Sequence, residues 1–273
     1  MSKPLRKILI LRFSSIGDIV LTTPVIRNMK EQLIDTEIHY CTKGAYESIL
    51  SKNPFIDKLH LLEDHMGKLI DQLRAEKFDY VVDLHNNLRT LRIRRALGVK
   101  SSSFNKLNKE KWLLVNLKID KLPNKHIVDR YMDTVKELGV TNESRKLDYF
   151  IPDKDEVEND WLPEAFRKEY YAVVVGAKFA TKRLPVERLI ELCDRINKPI
   201  VLLGGPEDKK TGEEIESFFV RPANYEATEE KLVDLNKKAI VFNACGKFNL
   251  NQTASLIRDS KAVFTHDTGL MHI

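Results

Sequence analysis

The sequence contains no apolar run long enough to cross a membrane as a helix, which takes about 18 residues. After the basic N-terminus only Ile8 to Leu11 is continuously apolar, whereas the central segment of a signal peptide needs at least about 7 such residues. This run is therefore predicted to be the first strand of a cytoplasmic protein.

Cysteine is scarce, and common metal and nucleotide motifs are missing. The three cysteines, Cys41, Cys193 and Cys245, lie far apart without a CxxC pair, so neither a disulfide framework nor a structural zinc site is predicted. The seven histidines form no HExxH motif, and we expect no metal site. The lack of GxGxxG and of a P-loop disfavours nicotinamide-dependent oxidoreductases and P-loop kinases.

Length and composition are those of a folded globular protein. At about 150 residues per domain, 273 residues allow two α/β domains or one large one. Apolar residues make up 42% and charged residues 31% of the chain, which is near the globular averages.

Positive charge is concentrated in one segment, although the whole chain carries only +5. Residues 89–130 contain twelve basic and three acidic side chains, a net charge of +9. Such a segment is typical either of a solvated helical face or of a surface for an anionic partner. Nucleic acid is the least favoured partner because no nucleic-acid-binding motif is present.

Short β-branched runs alternate with amphipathic segments of helical length, the pattern of parallel α/β sheets with helices on both faces. Predicted strands in the first part of the chain are residues 8–13, 38–41, 58–62 and 80–84, and predicted helices are residues 19–32, 45–51, 66–75, 87–97 and 127–138. In the second part the predicted strands are residues 171–175, 199–203, 239–243 and 262–265, and the predicted helices are residues 185–197, 209–219 and 251–260.

A charged, proline-containing stretch separates the two series. We therefore predict an N-terminal domain at residues 1–150, a linker at 151–169 and a C-terminal domain at 170–273. Two doubly wound domains joined in this way are expected to bind ligands in a cleft at the carboxyl ends of their strands.

The first strand leads directly into a polar turn and a helix. This turn contains Ser14, Ser15, Gly17 and Asp18, and backbone N–H groups at a helix N-terminus suit an anion. On spacing alone Asp18 is either a helix cap or a general base.

A second turn follows the strand at 171–175. It contains Thr181 and Lys182 shortly before Pro185, a residue that suits the start of a helix. A hydroxyl and an ammonium at this position suit a phosphate or diphosphate, and the alternative for Lys182 is a solvated lysine.

A third turn follows the strand at 262–265 and is expected to open another helix. Thr268 and Gly269 offer a hydroxyl and N–H groups, and Asp267 suits sugar hydroxyls, although the same residues fit an Asx-capped turn. His272 lies one helical turn after Thr268 and either joins the site or packs there.

Two other acidic segments are weaker. In LLGGPEDKK, Glu207 or Asp208 suits a ribose or caps a turn. Asp153 and Asp155 form a DxD sequence like that of metal-dependent sugar transferases, but they lie in the predicted linker and are not assigned to a metal site.

Three of these turns together resemble glycosyltransferase family 9, the ADP-heptose:lipopolysaccharide heptosyltransferases. The family's strand, SS(I/M)GD and TTP helix are matched by SSIGDIVLTTP at residues 14–24. Its GA-x-W-x-x-KRWP-like segment is matched by GAKFATKRLP at residues 176–185, and its DTGxMHIA by DTGLMHI at residues 267–273. The resemblance covers the whole chain in order and spacing but is weak between about residues 89 and 167.

The resemblance implies a GT-B fold of two Rossmann-like domains and inverting transfer of a heptose from ADP-heptose to a lipopolysaccharide core acceptor. It implies that Asp18 is the general base and that no metal or cofactor is used. The implied donor-binding residues are Thr181, Lys182, Glu207, Asp267, Thr268, Gly269 and His272. The implied phosphate or acceptor turn consists of Ser14, Ser15 and Gly17. Because of the charge of the basic segment, Arg89 and Arg130 are expected to bind the anionic acceptor. Peripheral contact with the inner membrane surface is expected, without nucleic acid.

The sequence departs from the family pattern at two places. Leu184 stands where KRWP has its Trp, which removes an aromatic wall. The chain ends at Ile273, so the second domain is expected to be incomplete and poorly active without the segment that the family has beyond this point. The alternatives are a non-catalytic nucleotide-sugar-binding protein and a transferase that uses a UDP- or GDP-sugar.

Overall fold

The computed structural model describes residues 7–219 and 239–273. The chain divides into two compact units, Met1–Phe150 and Ile151–Ile273. Each unit contains a parallel sheet with helices packed on it. No helix within the described residues has both the length and the apolar character needed to span a bilayer.

The first unit is built on a five-stranded sheet in the order β3-β2-β1-β4-β5. All neighbouring strands pair in parallel, and their bounds are β1 Lys7–Leu11, β2 Glu37–Lys43, β3 Lys58–Leu62, β4 Tyr80–Asp83 and β5 Lys100–Ser103. The central strand β1 and its neighbour β4 are almost continuously apolar, as expected for strands with helices on both faces. Strand β5 was not predicted, since its sequence, KSSS, is polar and lies at the sheet edge.

Among the described residues of this unit, seven α-helices accompany the sheet. Their bounds are α1 Ile16–Val20, α2 Thr23–Gln32, α3 Glu47–Leu50, α4 Met66–Ala75, α5 Leu88–Leu97, α6 Asn108–Leu117 and α7 Ile127–Met132. A 3-10 helix, Asp133–Leu138, continues α7 as far as Gly139, whose φ of 81° suits glycine.

The single helix predicted over residues 19–32 is two helices in the structure. The helical conformation is interrupted between α1 and α2, and Pro24 lies in the first turn of α2. A proline in this place lacks only an N–H that the helix does not use. Helix α6 was not predicted at all.

Within its described residues, the second unit is built on a parallel sheet of four strands in the order β8-β7-β6-β9. Its strands are β6 Tyr171–Val174, β7 Pro199–Leu203, β8 Ile240–Asn243 and β9 Val263–Phe264. Its α-helices are α8 Val186–Ile196, α9 Lys209–Phe219 and α10 Leu250–Asp259. Separate apolar clusters pack on the two faces of the sheet.

Residues 151–169, predicted to be a linker, are packed into the second unit. Leu162 and Phe166 are buried in the same cluster as Val174 of β6. The carboxylate of buried Asp155 accepts hydrogen bonds from Asn249 Nδ2 at 3.0 Å and from Asn251 Nδ2 at 2.9 Å. The segment is therefore fastened to the start of α10, and the aspartate of the DxD sequence has a structural role.

The bond between Asp155 and α10 makes the stability of this unit depend on pH. The amides of Asn251 and Asn249 lower the pKa of Asp155, so their stabilisation is complete above the ordinary carboxyl pKa and is lost as the pH falls through the lowered value. Asp155→Asn should cost about 1–3 kcal/mol at neutral pH and should flatten the acid dependence, as measured by thermal unfolding across pH. Asp153→Asn, at an exposed position, is the matched control; equal melting of both variants would contradict the assignment.

Candidate functional site

In the first unit the turn after β1 holds Asp18 by two kinds of contact. Asp18 Oδ2 accepts hydrogen bonds from the backbone N–H of Ser15 at 3.2 Å and from its Oγ at 2.9 Å. The same oxygen lies 2.8 Å from Arg12 Nη2, and the Asp18 side chain is 40% exposed. Asp18 thus bonds back to the residue preceding α1, as a cap does, while its carboxylate stays accessible to a ligand.

Arg12, which was not among the predicted site residues, anchors this turn. Its guanidinium is buried and donates to the carbonyl oxygens of Ser14 at 2.7 Å and Leu84 at 2.6 Å, and to Tyr131 Oη at 3.0 Å. Together with the ion pair to Asp18, these bonds satisfy a buried cation. An arginine placed directly after an apolar strand was the signal that could have revealed it.

These contacts keep Asp18 ionised. Burial alone would raise the pKa of the carboxyl, but the charge of Arg12 and the hydrogen bonds from Ser15 outweigh it and hold the pKa below its ordinary value. Asp18 is therefore a carboxylate at neutral pH, able to orient a hydroxyl and to accept its proton.

His85, also missed, follows β4 at the same edge of the sheet. Burial and the charges of Arg12 and Lys106 lower its pKa to about 4, so the ring is neutral at physiological pH. The ring packs edge-on against Phe13 at a centroid distance of 5.7 Å. Its buried Nδ1 has no hydrogen-bond partner among the described residues.

The other residues predicted to bind phosphate or acceptor lie on different elements of the first unit. Ser14 is half-buried, Ser15 is exposed and Gly17 is buried within α1. Arg89 lies exposed in the first turn of α5. Arg130 on α7 donates to the carbonyl of Asn105 at 2.7 Å and lies 4.9 Å from the ring centre of Phe104.

The basic segment is not one solvated helical face. It extends over α5, β5, α6 and the start of α7, and one of its cations turns inward. Arg94 Nη1 lies 3.4 Å from a carboxylate oxygen of the fully buried Asp83. Part of the charge therefore supports the sheet, and part is paired with acidic side chains, as Lys100 is with Glu137 and Lys125 with Asp133. Other lysines of the segment, such as Lys111, are exposed.

In the second unit the second and third predicted turns meet. Lys182 Nζ pairs with the carboxylate of Asp267 and lies 3.3 Å from its backbone oxygen. The backbone N–H of Leu184 donates to His266 Nε2 at 3.0 Å. The turns meet because they follow β6 and β9, which are neighbours in the sheet.

The ion pair between Lys182 and Asp267 is open to solvent. The two side chains are 41% and 65% exposed, and Lys182 lowers the pKa of Asp267 by hydrogen bonding and charge. Thr181, next to Lys182, is exposed as well. An exposed pair of this kind is held weakly, so an incoming anion can compete with Asp267 for the ammonium.

The third turn contains unpaired polar atoms. Thr268 Oγ1 and His266 Nδ1 are buried and have no hydrogen-bond partner among the described residues. Gly269–His272 forms a 3-10 turn where an α-helix was expected. The half-buried His272 is part of this turn.

The LLGGPEDKK segment is mainly structural. Asp208 is buried and accepts a hydrogen bond from the Gly205 N–H at 3.0 Å. A Cβ at Gly176 would lie 1.9 Å from Asp208 Oδ2, so the close approach of the two turns requires glycine there. Of the two acids considered for a ribose, the exposed Glu207 is the one that a ligand can reach.

One cluster with metal-binding side chains was also missed. His39, His60 and Glu76 place a ligand atom each within 4.8 Å of one another. Both carboxylate oxygens of Glu76, however, are paired with ammonium groups, those of Lys7 and Lys58. These two cations oppose the binding of another.

Comparison with known proteins connects these sites to a family. A model of glycosyltransferase family 9 (heptosyltransferase) matches residues 66–273. Lipopolysaccharide heptosyltransferase 1 of Campylobacter coli is 28% identical over 208 residues, 70% of this chain and 61% of that protein. The match therefore spans less than two thirds of the length of this relative.

Solved structures show the same fold. The glycosyltransferase of family 9 from Veillonella parvula DSM 2008 superposes with a TM-score of 0.76 at 21% identity, covering 100% of this chain and 79% of that one. The E. coli ADP-heptose lipopolysaccharide heptosyltransferase II gives a TM-score of 0.70 at 21% identity, covering 97% and 80%. The fold is of the GT-B type, with two Rossmann-like α/β domains. Because the family model matches most of the sequence, including the Lys182 and Asp267 turns, the chain belongs to glycosyltransferase family 9 (heptosyltransferase).

Proposed function

We propose that this protein is an inverting glycosyltransferase that moves a heptose from ADP-heptose to a lipopolysaccharide core acceptor. Family membership and the names of its relatives support this reaction class. The observation that carries the proposal is the half-exposed Asp18 carboxylate, which Arg12 and Ser15 keep ionised.

Asp18 acts as the general base. It takes the proton of the acceptor hydroxyl while the acceptor oxygen bonds to the anomeric carbon of the donor. The bond from that carbon to the diphosphate breaks, and ADP leaves. Attack from the face opposite the leaving group inverts the anomeric centre, and base assistance of this kind contributes about 10² to 10⁴ in rate.

Residues of the second unit bind the donor. Lys182, with Thr181 and the turn at Thr268 and Gly269, stabilises the negative charge on the diphosphate. Asp267 gives up its contact with Lys182 and accepts hydrogen bonds from sugar hydroxyls. Contacts to the rest of the donor come from Glu207 and His272.

Residues of the first unit bind the acceptor. Arg89 and Arg130 meet its anionic groups, and the turn of Ser14, Ser15 and Gly17 binds phosphate or acceptor. The protein works at the inner face of the cytoplasmic membrane, where a lipid-linked acceptor is available.

The direct test mixes the protein with ADP-heptose and a heptose-free lipopolysaccharide core acceptor. ADP release and an inverted anomeric configuration of the product, read by NMR, are expected. Parallel titrations with ADP, UDP and GDP identify the nucleotide, and tighter binding of UDP or GDP would overturn the donor assignment. Nucleotide-sugar binding without transfer would favour a non-catalytic binding protein.

Asp18→Asn should lower turnover by about 10² or more because the amide cannot accept the proton. Donor affinity should stay nearly unchanged. Asp35→Asn, at an exposed position of the same unit, is the matched control. Steady-state ADP release measures both variants, and an Asp18→Asn turnover within a few-fold of the parent protein rules out the role.

Ser15→Ala should move the acid limb of the kcat/KM profile to higher pH. It removes the hydroxyl that helps to lower the pKa of Asp18, so the carboxylate becomes protonated earlier as the pH falls. The measurement is the pH dependence of ADP release, with the exposed Ser51→Ala as control. An unmoved acid limb would show that another group titrates.

Lys182→Ala should weaken ADP binding by about 1 to 3 kcal/mol, the loss expected for a charge-assisted hydrogen bond. Calorimetric titration measures the change in ADP affinity, and Lys210→Ala, at an exposed lysine of α9, is the control.

Because neither proposed donor turn contains a DxD sequence, a chelator should leave ADP affinity unchanged. Abolition of ADP binding by the chelator would refute metal-independent donor binding.

A further inference from the structure

Helix α6 and the residue pair after it expose apolar side chains. Trp112, Val115, Leu117 and Ile119 are 57%, 66%, 53% and 44% exposed, and no residue of α6 is buried. Exposed apolar side chains grouped in this way are typical of a surface that binds a membrane or another protein.

The same segment carries exposed positive charge. Lys109, Lys111 and Lys118 are exposed, and within the described part of the chain none of them forms an ion pair. Across residues 106–121 five lysines stand against two acids. The covering surface must therefore accept apolar side chains and attract cations at once.

We propose that α6 lies on an anionic phospholipid bilayer, with its apolar side chains inserted among the headgroups and its lysines at the lipid phosphates. The inference rests on the proposed function, whose acceptor is lipid-linked. It adds a bilayer-inserting element to the electrostatic attraction that the basic segment alone would give.

The side chains of α6 suit a bilayer interface. Trp112 and Val115 are three residues apart and share one face of the helix, and tryptophan favours the boundary between headgroups and acyl chains. Lysines beside them extend their aliphatic stems along apolar surface and place the ammonium in water. The strength with which such a segment binds a bilayer depends on the apolar area that it buries and on its attraction to anionic lipids, and α6 offers both kinds of side chain.

A protein partner fits these observations less well. A protein surface would need acidic side chains placed to meet each lysine, whereas an anionic bilayer presents phosphates everywhere and adapts to irregular apolar side chains. Insertion also predicts a component of binding that salt does not screen, because screening acts on exposed charges only.

The chain contains its own reporter. It has two tryptophans, and Trp161→Phe leaves Trp112 alone. This variant is titrated with vesicles of phosphatidylglycerol and phosphatidylcholine in equal parts, and with phosphatidylcholine alone, without donor or acceptor. The anionic vesicles should shift Trp112 emission to shorter wavelength, and lipids brominated in the acyl chain should quench it. The reciprocal Trp112→Phe leaves Trp161, whose emission should not change.

Two further variants separate insertion from charge. Val115→Ser with Leu117→Ser should lower vesicle affinity about tenfold or more at high salt, since each side chain loses apolar burial. Phe218→Ser, an equally exposed apolar residue of the second unit (63%), should not. Lys109→Gln with Lys111→Gln should instead reduce affinity at low salt and flatten its salt dependence. Unchanged thermal unfolding shows that each variant is folded.

Three outcomes overturn the proposal. If anionic vesicles leave Trp112 emission unchanged, α6 does not contact the bilayer. An emission shift that grows with protein concentration in the absence of lipid assigns the surface to a second copy of the chain. Vesicle binding that depends on the lysines but not on Val115 and Leu117 leaves electrostatic attraction alone. The vesicle titration contains no donor or acceptor, so its result does not depend on transfer. Vesicle binding by a protein that fails the separate heptose-transfer assay would refute only the proposed function.

Discussion

Parallel strand pairing is the constraint on which both groups of site residues depend. In a parallel sheet the residues that follow each strand all lie at the end of the sheet where the strands have their carboxyl ends. The turn after β1 therefore lies beside the end of β4, and Arg12 bonds to the carbonyl of Leu84 at that end. In the second unit, β6 and β9 bring Lys182 to Asp267 although 85 positions separate them. Each site is a consequence of strand order.

The two groups differ in how firmly their charges are held. Arg12 is buried, and its hydrogen bonds to Ser14, Leu84 and Tyr131 hold it in place independently of Asp18. Breaking such a pair would leave a buried charge without compensation, which is costly. The pair of Lys182 and Asp267 is exposed and therefore exchangeable. The proposed transfer requires a preorganised base and a cation that can exchange its partner, which are the roles proposed for Asp18 and Lys182.

Most strands of both sheets were predicted from their apolar runs. Strands buried on both faces read as unbroken apolar runs, and β1, β4 and β7 lie within a residue or two of the predictions. The bounds predicted for the less buried strand β3, residues 58–62, match Lys58–Leu62. The polar edge strand β5 gave no such signal. Helix α6 was missed because its apolar residues follow no single-face pattern, and none of them is buried. Pro24 divided what periodicity had joined into one helix.

The sequence by itself determined the alternation of strands and helices, the turns that carry Asp18, Lys182 and Asp267, and the family resemblance, since these are local patterns of a few adjacent residues. Only the tertiary structure decided that Arg12 is the buried partner of Asp18, that His85 stands neutral nearby, and that Lys182 pairs with Asp267. It also decided that Asp208 and Asp155 serve packing and that α6 exposes its apolar residues. These properties depend on which distant segments become neighbours and on what they remove from water, and chain order alone specifies neither.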